Sequence, residues 1–122
     1  MGAIKPIMAV TTVDLYRSGN SSNARLDNLR NADVDIYTEG TQSEICVRAS
    51  NTKGVSTWDS VARLVNLGGR SWQLPANSTY DDTRLLLWET RPGSGKWNWT
   101  PTRDMPGSEF VAALRAVNAL FR

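Results

Sequence analysis

The sequence predicts an α+β fold, with one compact domain over residues 1–122 built from mixed, short-stranded sheets and two or three helices. The chain of 122 residues is long enough for one hydrophobic core. Short runs rich in Val, Thr, Tyr and Trp recur between turn-forming clusters, as strands do. Apolar residues at helical spacing are confined to a few segments, and no repeat or linker divides the chain.

Six segments have the composition or the alternation of β-strands. The run at 84–89 is continuously apolar and is predicted to be a central strand, whereas 71–75 ends in Pro and is predicted to be an edge strand. The predicted strands are residues 10–16 (ending at Arg17), 34–37, 45–47, 71–75, 84–89 and 96–101.

Three segments have helical patterns. Residues 23–31 form a short amphipathic stretch, and a second helix is predicted to start at the hydroxyl caps Ser56 and Thr57 and to stop at Gly68-Gly69. The third runs from Glu109 to Leu120, with Ser108 as its cap and an apolar stripe along one side. These segments supply the predicted two or three helices.

Composition excludes several classes of function. The formal net charge of +2 is too small to argue for nucleic-acid binding, and no run approaches the roughly 18 apolar residues of a membrane span. The chain has no His and one Cys, which removes Ser-His-Asp hydrolysis and most zinc sites. We therefore expect no metal, no membrane association and, because the opening residues lack signal-peptide character, action in the cytoplasm.

Arg17 and the pair Ser56-Thr57 are the first candidate site residues. A guanidinium can hold a phosphate bidentately, and small hydroxyls can line a ribose pocket. The alternatives are structural: Arg17 pairs with an acid such as Asp14 or Asp35, and the hydroxyls cap a helix. The order and spacing of the two elements resemble those of ADP-ribosyltransferase toxins of the cholera-toxin type.

Aromatic residues supply the second group of candidates. The chain has five Trp, of which Trp58 directly follows the Ser-Thr pair, and Trp97 and Trp99 lie two apart on a predicted strand. Core packing explains most of them, but an aromatic face also stacks on a nicotinamide or adenine ring. The predicted cofactor-binding residues are Tyr16, Arg17, Ser18, Ser56, Trp58, Lys96 and Trp97.

A carboxylate is the remaining requirement of the chemistry. Cleavage of a nicotinamide–ribose bond passes through an oxocarbenium-like state, which a nearby carboxylate stabilises. The candidate acids for this role are Asp81, Asp82, Glu89, Asp104 and Glu109. Glu89 ends the apolar strand and is the preferred candidate, so the predicted catalytic residues are Arg17, Ser56, Thr57 and Glu89.

Motifs along most of the chain are similar to those of a small type VI secretion toxin family with an ADP-ribosyltransferase-like fold, found in Pseudomonas and its relatives. That family has a His-Tyr pair where this chain has Lys96-Trp97, so a His role does not carry over. The corresponding pieces are Leu15-Tyr16-Arg17, Gly54-Val55-Ser56, Trp72-Gln73-Leu74-Pro75, Leu85 to Glu89, Trp97 to Pro101, Met105, and Phe110 to Leu114.

The resemblance implies an ADP-ribosyltransferase-like fold and a toxin of bacterial competition that acts in the cytosol of a target cell. It implies NAD as a substrate, a protein or nucleic-acid acceptor, and a cognate immunity protein in the producer. Three alternatives remain open: an NAD glycohydrolase on the same fold, a degenerate fold that only binds its target, and a non-enzymatic binding module that uses surface tryptophans.

Overall fold

The computed structural model describes residues 8–28, 33–40, 44–50, 52–65 and 68–122. These residues form a small α+β domain that is mostly sheet. Its single α-helix, α1, spans Gly107–Asn118, and a short 3₁₀-helix spans Val61–Leu64. The strands in chain order are β1 Met8–Val10, β2 Leu15–Gly19, β3 Asp35–Glu39, β4 Glu44–Arg48, β5 Val55–Trp58, β6 Arg70–Leu74, β7 Thr79–Asp81, β8 Leu85–Glu89, β9 Lys96–Pro101 and β10 Met105–Pro106.

The largest sheet has five antiparallel strands in the order β6-β2-β5-β9-β8. Its strands alternate, so that Leu15, Val55, Trp99 and Leu85 are fully buried on one face. The residue before β5 is glycine, and a larger residue would not fit there. A Cβ on Gly54 would lie 2.6 Å from the Cβ of Asn98 on the neighbouring strand. This sheet holds most of the predicted site residues.

Two smaller sheets and the helix complete the core. β3, β4 and β10 form a three-stranded antiparallel sheet, and β1 pairs with β7. Helix α1 contributes Phe110, Leu114 and Val117 to the same buried cluster as the five-stranded sheet, and Val47 of β4 joins it. The α+β class of the described residues therefore agrees with the sequence.

The predicted helices are partly wrong. Residues 23–28 are not helical, and 29–31 lie outside the described residues. Ser56 and Thr57 lie within strand β5 and do not cap a helix; Ser60 caps the 3₁₀-helix instead, accepting from the backbone N–H of Ala62 at 3.3 Å. The described residues therefore contain one α-helix where two or three helices were predicted. The pairing of β5 with β9 along its whole length overrode the local capping signal.

Three smaller differences concern the ends of elements. The helix at the C-terminal end is confirmed, but its N-cap is Pro106, and Ser108 lies inside the first turn. Strand 84–89 is an edge strand, not a central one, while 71–75 is an edge strand as predicted. The first predicted strand, 10–16, is divided into β1 and β2, which pair with different partners.

Candidate functional site

One cleft of about 370 Å³ opens where β2 and β5 separate. The two strands pair only at Tyr16 and Trp58, although β2 pairs with β6 over five residues and β5 pairs with β9 over four. The loop that follows β2 closes the opposite wall. The lining residues are Arg17, Ser18, Arg25, Asn28, Asp33, Ser56, Trp58 and Leu64.

The Arg17 side chain joins the walls of this cleft. Its Nη1 donates to the carbonyl of Ser56 at 2.6 Å, so the guanidinium continues the contact between β2 and β5 past their last paired residues. Its Nε and Nη2 donate to the carbonyls of Ala24 and Arg25 at 3.0 and 3.3 Å. These neutral carbonyl partners orient a permanent positive charge at the cleft wall.

The loop of the opposite wall is held firmly on both sides. Gly19 lets it pass close over β2, since a Cβ at that position would lie 2.7 Å from the Cα of Ala24. The Leu26 N–H donates to Asn118 Oδ1 at 2.9 Å, and Arg115 Nε donates to Asp27 Oδ2 at 3.1 Å, which ties the loop to the last turn of α1. The cleft is therefore a preformed feature of the packed domain.

Arg25 has a left-handed backbone with φ of 58°. This conformation disfavours residues with a Cβ, by about 1–2 kcal/mol. Asn23 Oδ1 accepts from the Arg25 N–H at 2.7 Å, and Arg17 holds the Arg25 carbonyl, so local contacts offset the cost. The result is a second arginine at the cleft, carried on a strained backbone.

Alternation along β5 divides the predicted Ser-Thr pair. Ser56 lines the cleft, and its Oγ lies 3.4 Å from Asn98 Oδ1. Thr57 is on the other face and is fully buried, where its Oγ1 donates to the Trp97 carbonyl at 2.9 Å and accepts from Trp99 Nε1 at 3.2 Å. Thr57 therefore supports the wall from behind, and its hydroxyl is committed to core partners.

Trp58 is the aromatic residue of the cleft. It is partly exposed, and Tyr16 lies opposite it on β2, so the two side chains share a face of the sheet. The Nζ of Lys96, which lies opposite Trp58 on β9, is 5.6 Å from the centroid of the Trp58 ring. Ser18, another predicted residue, lines the cleft and donates its hydroxyl to the Gly68 carbonyl.

Five of the predicted residues are not among those that line the cleft: Tyr16, Thr57, Lys96, Glu89 and Trp97. Glu89 Oε2 accepts from the Gly95 N–H at 2.9 Å and so closes the turn between β8 and β9. Trp97 packs against the core, and its Nε1 donates to Asp59 Oδ2 at 3.3 Å. Glu89 and Trp97 are paired across β8 and β9 on the face of the sheet that Thr57 also occupies, which is the face opposite Ser56.

Sequence reasoning missed Arg25, Asn28 and Asp33. Asp33 is 7% exposed and is the carboxylate-bearing residue among those that line the cleft. Arg25 and Asn28 lie in the segment 23–31 that was predicted to be helical, and Asp33 lies just before β3. The available signal was the placement of polar residues between two predicted strands, which the helical interpretation of residues 23–31 concealed.

A second, more apolar groove of about 510 Å³ runs between β7 and α1, floored by Ala112, Ala113, Ala116 and Val117. Tyr80 lies at its edge, and burial, followed by the negative charge of Asp82, raises the pKa of its hydroxyl. Burial also acts to raise the pKa of Asp81, but hydrogen bonds from Thr83 and Arg84 outweigh it and lower that pKa below its usual range. This groove holds none of the predicted site residues.

The residues that line the cleft include two arginines, one aspartate, two serines and a tryptophan, a set suited to an anionic, ribose-bearing ligand with an aromatic base. Its volume lies within the roughly 300–1,000 Å³ of small-molecule pockets. Among the described residues, no three His, Cys, Asp or Glu side chains are grouped as metal ligands. No helix of the described part of the chain is long and apolar enough to cross a membrane.

Comparisons of the chain with protein-family models, with curated proteins and with solved structures found no match.

Proposed function

We propose that the protein is a toxin-like, NAD-dependent ADP-ribosyltransferase that acts on an intracellular target and has an ADP-ribosyltransferase-like fold. The observation that carries the proposal is the convergence of Arg17, Ser56 and Trp58 on one cleft. Arg17 and Ser56 are 39 positions apart in sequence and are joined by a 2.6 Å hydrogen bond. Residues selected for anion, ribose and base recognition from sequence thus lie together in three dimensions.

Each wall of the cleft has a part in NAD binding. Arg17 and Arg25 supply the positive charge for the pyrophosphate, and the fixed guanidinium of Arg17 loses little side-chain entropy on binding. Ser56 and Ser18 supply hydroxyls at the ribose wall. Trp58 supplies a planar face for nicotinamide or adenine, and an aromatic stack contributes about 0.5–1.5 kcal/mol beyond area burial.

The non-enzymatic alternative needs tryptophans that present their rings to a partner. Trp99 is fully buried and Trp97 packs on the core, so this pair is committed to the fold of the described domain. Trp58, in contrast, lies beside two arginines in a concave site. A small charged ligand fits that setting better than a flat protein surface does.

The remaining parts of the proposal follow from the toxin hypothesis. We propose a cytosolic protein or nucleic acid of the target cell as the acceptor, and a cognate immunity protein that blocks the toxin in the producer. Transfer by a type VI secretion machine in bacterial competition would deliver it to that cytosol. NAD would be consumed as a substrate, with no metal required.

Titration calorimetry of NAD against the purified protein tests the binding step. We expect saturable binding by wild type and its loss in Arg17→Ala, because this change removes the fixed guanidinium. Arg103→Ala is the matched control, since Arg103 is exposed and pairs with Glu109 away from the cleft. Thermal melts establish that each variant is folded. Failure of folded wild type to bind millimolar NAD would sink the proposal.

Labelled NAD then separates the enzymatic alternatives. We expect wild type, but not Arg17→Ala, to transfer label from adenylate-labelled NAD to a macromolecule in a bacterial lysate. Nuclease and protease treatment of the labelled fraction identifies the acceptor class. Release of nicotinamide and ADP-ribose at the same rate with and without lysate, and with no label transferred, would identify a glycohydrolase instead.

A further inference from the structure

We propose that Asp33, and not Glu89, supplies the carboxylate that stabilises the cation formed at ribose C1′ when the nicotinamide bond breaks. This inference rests on the proposed function and assigns one more catalytic residue to the same cleft. It comes from the placement of a buried acid beside two arginines, a feature that no strand or helix pattern in the sequence indicates.

Asp33 is unusual among the buried residues. The buried polar side chains of the described residues are those of Thr11, Asp33, Thr57, Asn98 and Thr100, and of these only Asp33 is ionisable. Burial of a carboxylate is costly unless charges or hydrogen bonds compensate for it. Arg17 and Arg25 line the same cleft as Asp33, so the acid shares its site with two cationic residues.

The residues that follow Asp33 are held in the fold. Val34 is 2% exposed and belongs to the main hydrophobic cluster, and β3 begins at Asp35, paired with Arg48 of β4. Because the next residue is held in the core, movement of the Asp33 backbone is limited. Stabilisation of a transition state needs such preorganisation, because a displacement of about 1 Å can cost about 10²-fold in rate.

The chemistry of the step matches one carboxylate at this position. The C1′–N bond breaks with its electron pair passing to the nicotinamide ring nitrogen, which neutralises the pyridinium and leaves an oxocarbenium ion at C1′. A carboxylate near C1′ or the ribose 2′-OH lowers the energy of that cation. A nucleophile, either water or an acceptor group, then bonds to C1′ and releases its proton to solvent. Because a carboxylate accepts at two oxygens, contacts of Asp33 within the protein are compatible with this role.

Glu89 lies in a different environment. Its carboxylate holds the Gly95 N–H at 2.9 Å, and Glu89 is not among the residues that line the cleft. Gly95 has φ of 75°, so this hydrogen bond supports a left-handed turn between β8 and β9. We therefore expect substitution of Glu89 to lower the stability of the β8–β9 hairpin, and substitution of Asp33 to lower the reaction rate.

The test compares Asp33→Asn with wild type in NAD binding and in nicotinamide release. We expect the dissociation constant for NAD to stay within about threefold, because the amide keeps the shape of the side chain. We expect the turnover number to fall by about 10²–10³-fold, the range found when one preorganised electrostatic group is removed. Asp35→Asn is the matched control, since Asp35 is two residues away in an exposed pair with Lys53 and should not affect turnover.

The outcomes are distinct. Wild-type turnover in a folded Asp33→Asn, or loss of turnover in Glu89→Gln while Asp33→Asn stays active, would overturn the assignment to Asp33 and leave the NAD proposal standing. Wild type that neither binds nor cleaves NAD would overturn both. If Asp33→Asn does not fold, Asp33→Glu replaces it: we expect NAD binding with turnover at least tenfold lower, and unchanged turnover would contradict the inference.

Discussion

The two faces of strand β5 differ in what they contact, although neighbouring residues of one four-residue strand form them. Val55 and Thr57 are fully buried against the core, where Thr57 joins β5 to Trp97 and Trp99. Ser56 and Trp58 line the cleft together with Arg17. Ser56 and Thr57 are adjacent in sequence and alike in chemistry, but their contacts differ. Thr57 therefore contributes to the stability of the fold, and Ser56 contributes to the cleft.

Arg17→Lys should have the largest effect, because Arg17 both ties the cleft walls together and supplies charge to the site. Lysine keeps the charge but cannot reach three carbonyls with a planar fork, and we expect a loss of about 2–4 kcal/mol in the free energy of unfolding. NAD affinity should also fall by at least about tenfold. Urea denaturation and calorimetry measure the two effects. A Lys variant of wild-type stability would show that the carbonyl contacts do not hold the cleft together.

Thr57→Val should affect stability alone. The change keeps the volume but leaves the Trp99 N–H and the Trp97 carbonyl without their hydroxyl partner in the core. We expect the free energy of unfolding to fall by about 1–3 kcal/mol, with NAD affinity unchanged when measured well below the melting temperature. A large loss of affinity in the folded variant would contradict the division between the faces and would return Thr57 to the site.

Trp58→Leu should show the opposite pattern. The indole is partly exposed at the cleft, so its replacement should change unfolding free energy by less than about 1 kcal/mol. Loss of a stacked ring of about 0.5–1.5 kcal/mol corresponds to a roughly three- to tenfold weaker affinity for NAD. Trp88→Leu is a matched control, because Trp88 is also partly exposed but lies on the edge strand β8, where its Nε1 donates to Thr100 Oγ1 at 3.0 Å, and it does not line the cleft. Equal losses in both variants would point to a general effect of tryptophan removal.

Ser56→Ala should have the smallest effect. Its carbonyl, not its hydroxyl, holds Arg17, and the hydroxyl lies at a long 3.4 Å from Asn98 Oδ1. We expect a change of less than about 0.5 kcal/mol in unfolding free energy and an affinity for NAD that is about threefold weaker, because one neutral hydroxyl contact to the ribose is lost. Calorimetry of Ser56→Ala and Thr57→Val in parallel compares the effects of the two neighbouring hydroxyls on NAD affinity. Wild-type affinity for NAD in Ser56→Ala would show that the hydroxyl does not contact the ribose.

The sequence predicted the elements better than their arrangement. Alternation and β-branched composition located six strands because such residues pack well on a pleated, half-buried surface. The sequence did not show that Ser56 and Thr57 belong to a strand, because a hydroxyl followed by an acid is also typical of a helix start. The pairing of β5 with β9 decides between the two structures. The five-stranded order, which places β8 at an edge, is set by contacts distant in sequence.

The part of the site that the sequence predicted consists of residues whose type and order suggest a chemical role. Arg17, Ser56 and Trp58 were selected by type and order, and they line one cleft. Asp33 and Arg25 were not, since their roles depend on how the loop after β2 folds back over Gly19 toward α1. Glu89 illustrates the converse, because the end of an apolar strand is a suitable place for a catalytic acid and equally suitable for closing a turn.

The left-handed backbone of Arg25 lowers the stability of the fold, while its side chain contributes positive charge for ligand binding. A glycine at this position would remove the left-handed penalty of about 1–2 kcal/mol while adding about 0.5–1 kcal/mol of chain entropy, so Arg25→Gly should be neutral to stabilising. The same change would remove one of the two cationic side chains of the cleft. Laboratory evolution for heat resistance alone should therefore accumulate Gly at position 25 and lose ligand affinity as it does so, a trade-off localised to one residue.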